Sequence, residues 1–159
     1  MKITLITVGK IKEKYYTQAV DEYAKRLSRY AKLTILELED EKTPDQASDK
    51  ENEAIKEKEG ERILAHLPEG AYVIALAIEG RQPDSPELSA HIEELALKGK
   101  SHLCFIIGGS LGLSPRVLSA ADELLSFSRM TFPHQLMRVI FLEQLYRSFR
   151  IMHHEPYHK

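Results

Sequence analysis

Leu103-Cys104-Phe105-Ile106-Ile107-Gly108-Gly109-Ser110-Leu111-Gly112-Leu113 is an unbroken apolar run that stops at a glycine-rich turn. A short apolar run bounded in this way reads as a strand buried on both faces, the kind found inside a parallel sheet. Tyr72–Ile78 has the same character and is ended by Glu79-Gly80-Arg81-Gln82-Pro83. Parallel strands need long crossovers, and the chain supplies helical patterns between its strand-like runs.

Working outward, Ile3–Val8 is β-branched, stops at Gly9 and reads as a strand. Tyr15–Tyr30 carries Ala19, Tyr23 and Leu27 at helical spacing, and Leu33–Leu38 alternates like a half-buried strand. Ser48 with Glu51 three residues on matches a capping box, opening a charge-rich helix from Asp49 to about His66. Glu87–Leu97 reads as a helix, Pro115–Ala121 as a helical turn and Asp122–Ser126 as a short strand. Pro133 suits a first helical turn and starts the longest helix, to about His153. No repeat, linker or low-complexity segment interrupts residues 1–159. The expectation is one α/β domain, a mostly parallel sheet with helices on both faces.

The last helix is apolar nearly all round, from Leu136 and Met137 through Phe141, Leu145 and Phe149 to Met152. Such a helix is buried on several sides. In a domain this small, a second subunit is the simplest cover, so a homodimer packed partly through this helix is expected.

A net charge of −2 rules out a globally basic, non-specific nucleic-acid binder. Any such contact must come from a local patch. Arg129, Arg138, Arg147, Arg150, His153, His154, His158 and Lys159 make the last segment basic, whereas Glu37–Glu61 is acidic. The single cysteine, Cys104, lies in an apolar run and reads as a core residue rather than a nucleophile. No run approaches membrane-spanning length and the start lacks a signal-peptide pattern, so a cytoplasmic protein without a membrane partner is expected. His153, His154 and His158 lack the cysteine or carboxylate company of a metal site, and no metal is expected.

In open α/β sheets, ligands bind where turns follow the carboxyl ends of strands. The turn Gly108-Gly109-Ser110-Leu111-Gly112 matches neither the dinucleotide fingerprint nor a P-loop. It fits a close-approach ligand site and a purely structural turn equally well. The second turn, Ser126-Phe127-Ser128-Arg129-Met130-Thr131-Phe132-Pro133, interleaves apolar side chains with Ser and Thr. That mixture suits a flat aromatic ligand, with carbon surface for its faces and backbone groups for its edges.

With Val8-Gly9-Lys10, Ile107-Gly108-Gly109-Ser110, Leu125 to Gln135 and the closing Tyr157-His158-Lys159 in place, the chain resembles the RlmH family, formerly YbeA. These are small SPOUT-class methyltransferases acting on large-subunit ribosomal RNA. The resemblance runs end to end, and its most specific part is the Ser-x-Met-Thr-x-Pro-His-Gln string at 128–135. It implies a deep trefoil knot in the C-terminal part, a rare exception to unknotted connections. It implies S-adenosylmethionine (S-adenosyl-L-methionine) held by Leu76, Gly108 and the stretch Phe127, Ser128, Arg129, Met130, Thr131 and Phe132. It also implies a homodimer with active sites near the interface, and methylation at N3 of a pseudouridine in 23S rRNA within the assembled ribosome.

Methyl transfer is an in-line displacement, and the weakly acidic N3–H must be lost before the nitrogen attacks. A general base, or a cation stabilising the deprotonated ring, serves this need. His158 and Tyr157 are the candidates, with Arg129 or Arg138 as electrostatic helpers. The tail is expected to fold over the partner subunit's cofactor. Two rival readings are a knotted methyltransferase for transfer RNA and a non-catalytic ribosome-binding factor.

Overall fold

A computed structural model describes residues 1–159. Five strands alternate with five helices: β1 (Lys2–Val8), α1 (Lys14–Leu27), β2 (Lys32–Leu38), α2 (Asp49–Ala65), β3 (Tyr72–Arg81), α3 (Ser85–Leu97), β4 (His102–Ile107), α4 (Pro115–Ala120), β5 (Glu123–Leu125) and α5 (His134–Met152). The sheet order is β2-β1-β4-β3-β5, and every neighbouring pair is parallel. The fully apolar β4 lies at the centre, where both of its faces meet helices. Leu103, Phe105 and Ile107 point into a core shared with α1, α3 and α5. Cys104 and Ile106 point the other way, into a smaller core with Ile63 of α2 and Val117 of α4. This is the period-two alternation of a strand. Burial pushes the Cys104 thiol up to about 12, so it is inert at neutral pH.

Several boundaries differ from the sequence reading, each for a local reason. β3 does not end at Ile78: its pairing with β5 skips from Leu76 to Arg81, both opposite Leu125. The chain bulges between these points and returns to the sheet edge, where the Ser126 N–H donates to the Arg81 carbonyl at 2.8 Å. Gly80 makes this return possible, because a Cβ there would lie 2.6 Å from the Leu124–Leu125 backbone. α3 starts earlier than Glu87, since Asp84 and Glu87 form a reciprocal capping box. α1 stops at Leu27, and Pro133 sits one residue before α5 rather than inside its first turn.

α5 is the middle helix of a three-helix layer, flanked by α1 and α3 and lying over Phe105 (ring centroids 4.7 Å from Phe141). Much of its apolar circumference therefore finds partners inside the chain. Leu136, Ile140 and Ile151 belong to neither core and are only half-buried. At helical spacing they fall on one outer stripe together with Glu143 and Arg147.

Candidate active site

Three turns follow the carboxyl ends of the adjacent strands β4, β3 and β5. Neighbouring strands are about 4.8 Å apart, so these turns form one continuous rim. In the first turn, Gly112 (φ +84°) donates to the Gly109 carbonyl at 3.1 Å, and a Cβ on Gly108 would meet the Gly112 backbone at 2.9 Å. Glycine is thus required here by the turn itself. Gly109 rests on a buried carboxylate, with its Cβ position 3.1 Å from Glu59 Oε1. Burial pushes the Glu59 carboxyl up, although the Glu41 N–H, donating at 3.0 Å, works against this.

The second and third turns are stapled by Ser126, which is 2% exposed. Its N–H reaches back to the turn after β3, Gln82 Nε2 donates to its Oγ at 3.3 Å, and that Oγ is 3.1 Å from the Ser128 carbonyl. Leu76 is the last regularly paired residue of β3, beside Leu125. Beyond it Phe127 packs towards Phe141 (6.2 Å between centroids), Phe132 is half-buried, and Met130 is 72% exposed. From Phe127 to Phe132 only one N–H donates within the chain, that of Met130 to Ser128 Oγ at 2.9 Å. The remaining backbone donors of this stretch have no partner within the chain. Such donors with a flanking apolar lining suit an adenosine-like group. Arg129 is exposed and in no ion pair. A hollow of about 790 Å³ lies at the opposite end of the sheet, near Met1, Tyr30 and Leu33, away from all three turns.

Arg138, read from sequence as an electrostatic helper, is a clamp instead. It is 1% exposed, pairs with Glu37 Oε2 at 2.6 Å and donates to the Gly9 carbonyl at 2.6 Å. Its Nη2 also lies 3.3 Å from His134 Nδ1. Burial first, then the Arg138 charge, holds His134 below the usual histidine range.

Neither Tyr157 nor His158 makes a hydrogen bond to the three turns of its own chain. Tyr157 Oη donates to Glu143 Oε1 at 3.0 Å, its ring meets Tyr146 edge-on, and Arg147 lies 4.8 Å over it. Glu143 is ten residues beyond Pro133, so the tail lies about 15 Å along α5 from the third turn, while Gln144 beside it accepts from Ser85 Oγ, just past the second turn, at 2.7 Å. Burial, aided by the bond to Glu143, pushes the Tyr157 phenol up to about 12. His158 Nδ1 faces Arg147 Nη1 at 3.1 Å. The tail is anchored by contacts that sequence reading missed: Glu155 accepts from Tyr30 Oη (2.9 Å) and Arg150 (2.6 Å), and Arg150 also holds the Pro156 carbonyl. No group of three or more His, Cys, Asp or Glu side chains converges anywhere in the chain. No helix is long and apolar enough to cross a membrane.

Comparison with known proteins places this geometry. The family model described as "Predicted SPOUT methyltransferase" matches residues 1–158. The chain is 64% identical to the ribosomal RNA large subunit methyltransferase H of Bifidobacterium animalis subsp. lactis, over the whole of both chains. The protein of that name from Bacillus pumilus is 59% identical, again over both full lengths. A probable methylase family protein from Haemophilus influenzae shares the fold at 12% identity and a TM-score of 0.50, over 99% of this chain and 70% of that one. The chain therefore belongs to the SPOUT methyltransferase family and, within it, to the group of proteins named ribosomal RNA large subunit methyltransferase H.

Proposed function

We propose that this protein transfers a methyl group from S-adenosylmethionine to N3 of a pseudouridine in 23S rRNA, on the assembled ribosome and as a homodimer. The observation that carries the reading is full-length identity of 59–64% to rRNA large-subunit methyltransferases, in a chain whose turns form one rim on β4-β3-β5. Its C-terminal part is read as threaded into a deep trefoil knot, a topology compatible with the bulge of β3 closing on Ser126.

S-adenosylmethionine, when bound, supplies an electrophilic methyl on a cationic sulfur. Leu76, Gly108 and Phe127 to Phe132 hold it, the free N–H groups of the third turn reading its polar edges. Arg129, exposed and without an internal partner, is placed to offset negative charge on the target ring. The N3–H proton would pass to solvent water, the N3 of the ring anion would take the methyl as the sulfur–methyl bond breaks, and S-adenosylhomocysteine would leave. Because the tail makes no hydrogen bond to its own third turn, which lies about 15 Å away along α5, Tyr157 and His158 serve the partner subunit's site. In this pose Tyr157 gives its O–H to Glu143 and fixes the tail, and His158 is the free donor. The phenol keeps its proton at neutral pH. An imidazole accepting from Arg147 at Nδ1 presents Nε2–H. That donor, set beside a uracil-like carbonyl, stabilises the ring anion, which is electrostatic rather than general-base catalysis. A nucleoside map of ribosomes from cells lacking the protein tests the reading. Loss of one methylated pseudouridine in 23S rRNA is the expected result, and an unchanged rRNA map with an altered tRNA map would transfer the reading to tRNA.

A further inference from the structure

The loop joining β1 to α1 takes no part in the site described above, yet it borders that site. Gly9 lies against His134, and the Lys12 N–H donates to Gln135 Oε1 at 3.0 Å, so the loop touches the start of α5 where the third turn ends. The sheet brings it equally close to the first turn, since β1 pairs with β4 and Val8 Cγ1 is 3.3 Å from the Cβ position of Gly109. The backbone is pinned at three points: Gly9 N–H to the Leu38 carbonyl, Ile11 N–H to Glu37 and Lys12 N–H to Gln135.

The side chains are the reverse. Lys10, Lys12 and Lys14 are all exposed, and none of them is in an ion pair. Tyr15 is 62% exposed, its ring leaning on Tyr16 at 4.6 Å. Of the acids beside the loop, Glu37 is engaged by Arg138 at 2.6 Å and Asp40 lies 3.7 Å from the Cβ position of Gly9, leaving Glu13 as the one acid within the loop itself. An ordered backbone carrying unpartnered ammonium groups and an open aromatic face matches what an unpaired nucleic-acid strand needs: cations for phosphates and a ring for a base.

We infer that the β1–α1 loop and the first turn of α1 form an RNA-docking surface, with Lys10, Lys12 and Lys14 binding phosphates and Tyr15 stacking on an unpaired base beside the target. The inference rests on the rRNA-modifying reading. Its test is therefore read by binding, so that a failure of methyl transfer bears on that reading alone.

The experiment is cosedimentation of the full chain with purified large ribosomal subunits across a salt series. It uses the wild type, the triple variant K10A/K12A/K14A, Tyr15→Ala and Tyr15→Phe, with S-adenosylmethionine affinity and Tm as controls. The triple variant is expected to flatten the slope of log affinity against log salt by about 2, each lost phosphate contact accounting for about 0.7. Tyr15→Ala is expected to weaken binding about tenfold while Tyr15→Phe retains it, because stacking needs only the ring. Cofactor affinity and Tm stay unchanged in all three. Wild-type affinity and slope in both the triple variant and Tyr15→Ala would overturn the inference. So would weakened binding with an unchanged slope and crosslinks from Tyr15 to a ribosomal protein.

Discussion

Glu59 is the one acid between Glu37 and Glu61 that the fold takes out of water, at 5% exposed. Its carboxyl is raised above the ordinary 4.5 by burial. A raised pKa means that the native state favours the protonated form. The favourable contribution is present below the unfolded value and disappears as pH rises through the folded one. At neutral pH the buried charge is a cost that Glu59→Gln removes, while an amide oxygen still accepts from the Glu41 N–H. The variant is expected to melt higher than wild type at pH 7, and the gap should close as pH falls through the raised folded value towards 4.5 in a series of thermal melts. A gap that persists at acid pH would contradict this assignment. Nothing in the run Glu57-Lys58-Glu59 signals this role, because its burial arises when the distant Gly109 turn lands on the helix. Arg138 was opaque for the same reason. Its basic neighbours in sequence point to a ligand, whereas β1 and β2 supply its partners in space.

At the level of elements, the strands were legible because an apolar run bounded by glycine or polar turns has few other uses. The start of α3 was also legible in principle, as Asp84-x-x-Glu87 is a capping pattern. The bulge of β3 was not, since it depends on a non-local pairing of Arg81 with Leu125. Gly80→Ala tests that pairing. A methyl 2.6 Å from backbone atoms forces β3 and β5 apart, and the expected cost is about 2–3 kcal/mol in urea unfolding with weaker cofactor binding. The tail is a second such element. Sequence reading assigns it to the chemistry, and the structure shows it tied down through Glu155, Arg150 and Tyr30. Removing Tyr157–Lys159 is expected to lower turnover at least a hundredfold, the scale of a lost oxyanion-type donor, while calorimetry shows cofactor binding retained. Unchanged turnover would take the tail out of the mechanism.

At the scale of the molecule, α5 organises everything: its start carries the third turn, its middle holds the tail and its flanks bind α1 and α3. The sequence reading of this helix was right about its burial on several sides, although two of those sides are covered within the chain. The half-buried stripe Leu136, Ile140 and Ile151, with the Glu143–Arg147 pair between them, is the face that the proposed second copy would cover. Sedimentation at micromolar concentration is expected to show one species at twice the 18.2 kDa chain mass, and Ile140→Glu should shift it towards monomer with loss of turnover. That dependence follows from the proposal that a tail lying about 15 Å along α5 from its own third turn acts on the partner's site. The most direct test of the whole account is transfer of labelled methyl from S-adenosylmethionine by the purified protein to assembled ribosomes, with the product mapped by mass spectrometry. The account predicts one methyl per ribosome, at N3 of a single pseudouridine of 23S rRNA. Labelling of tRNA instead, or no labelling by a protein that binds the cofactor, would contradict it.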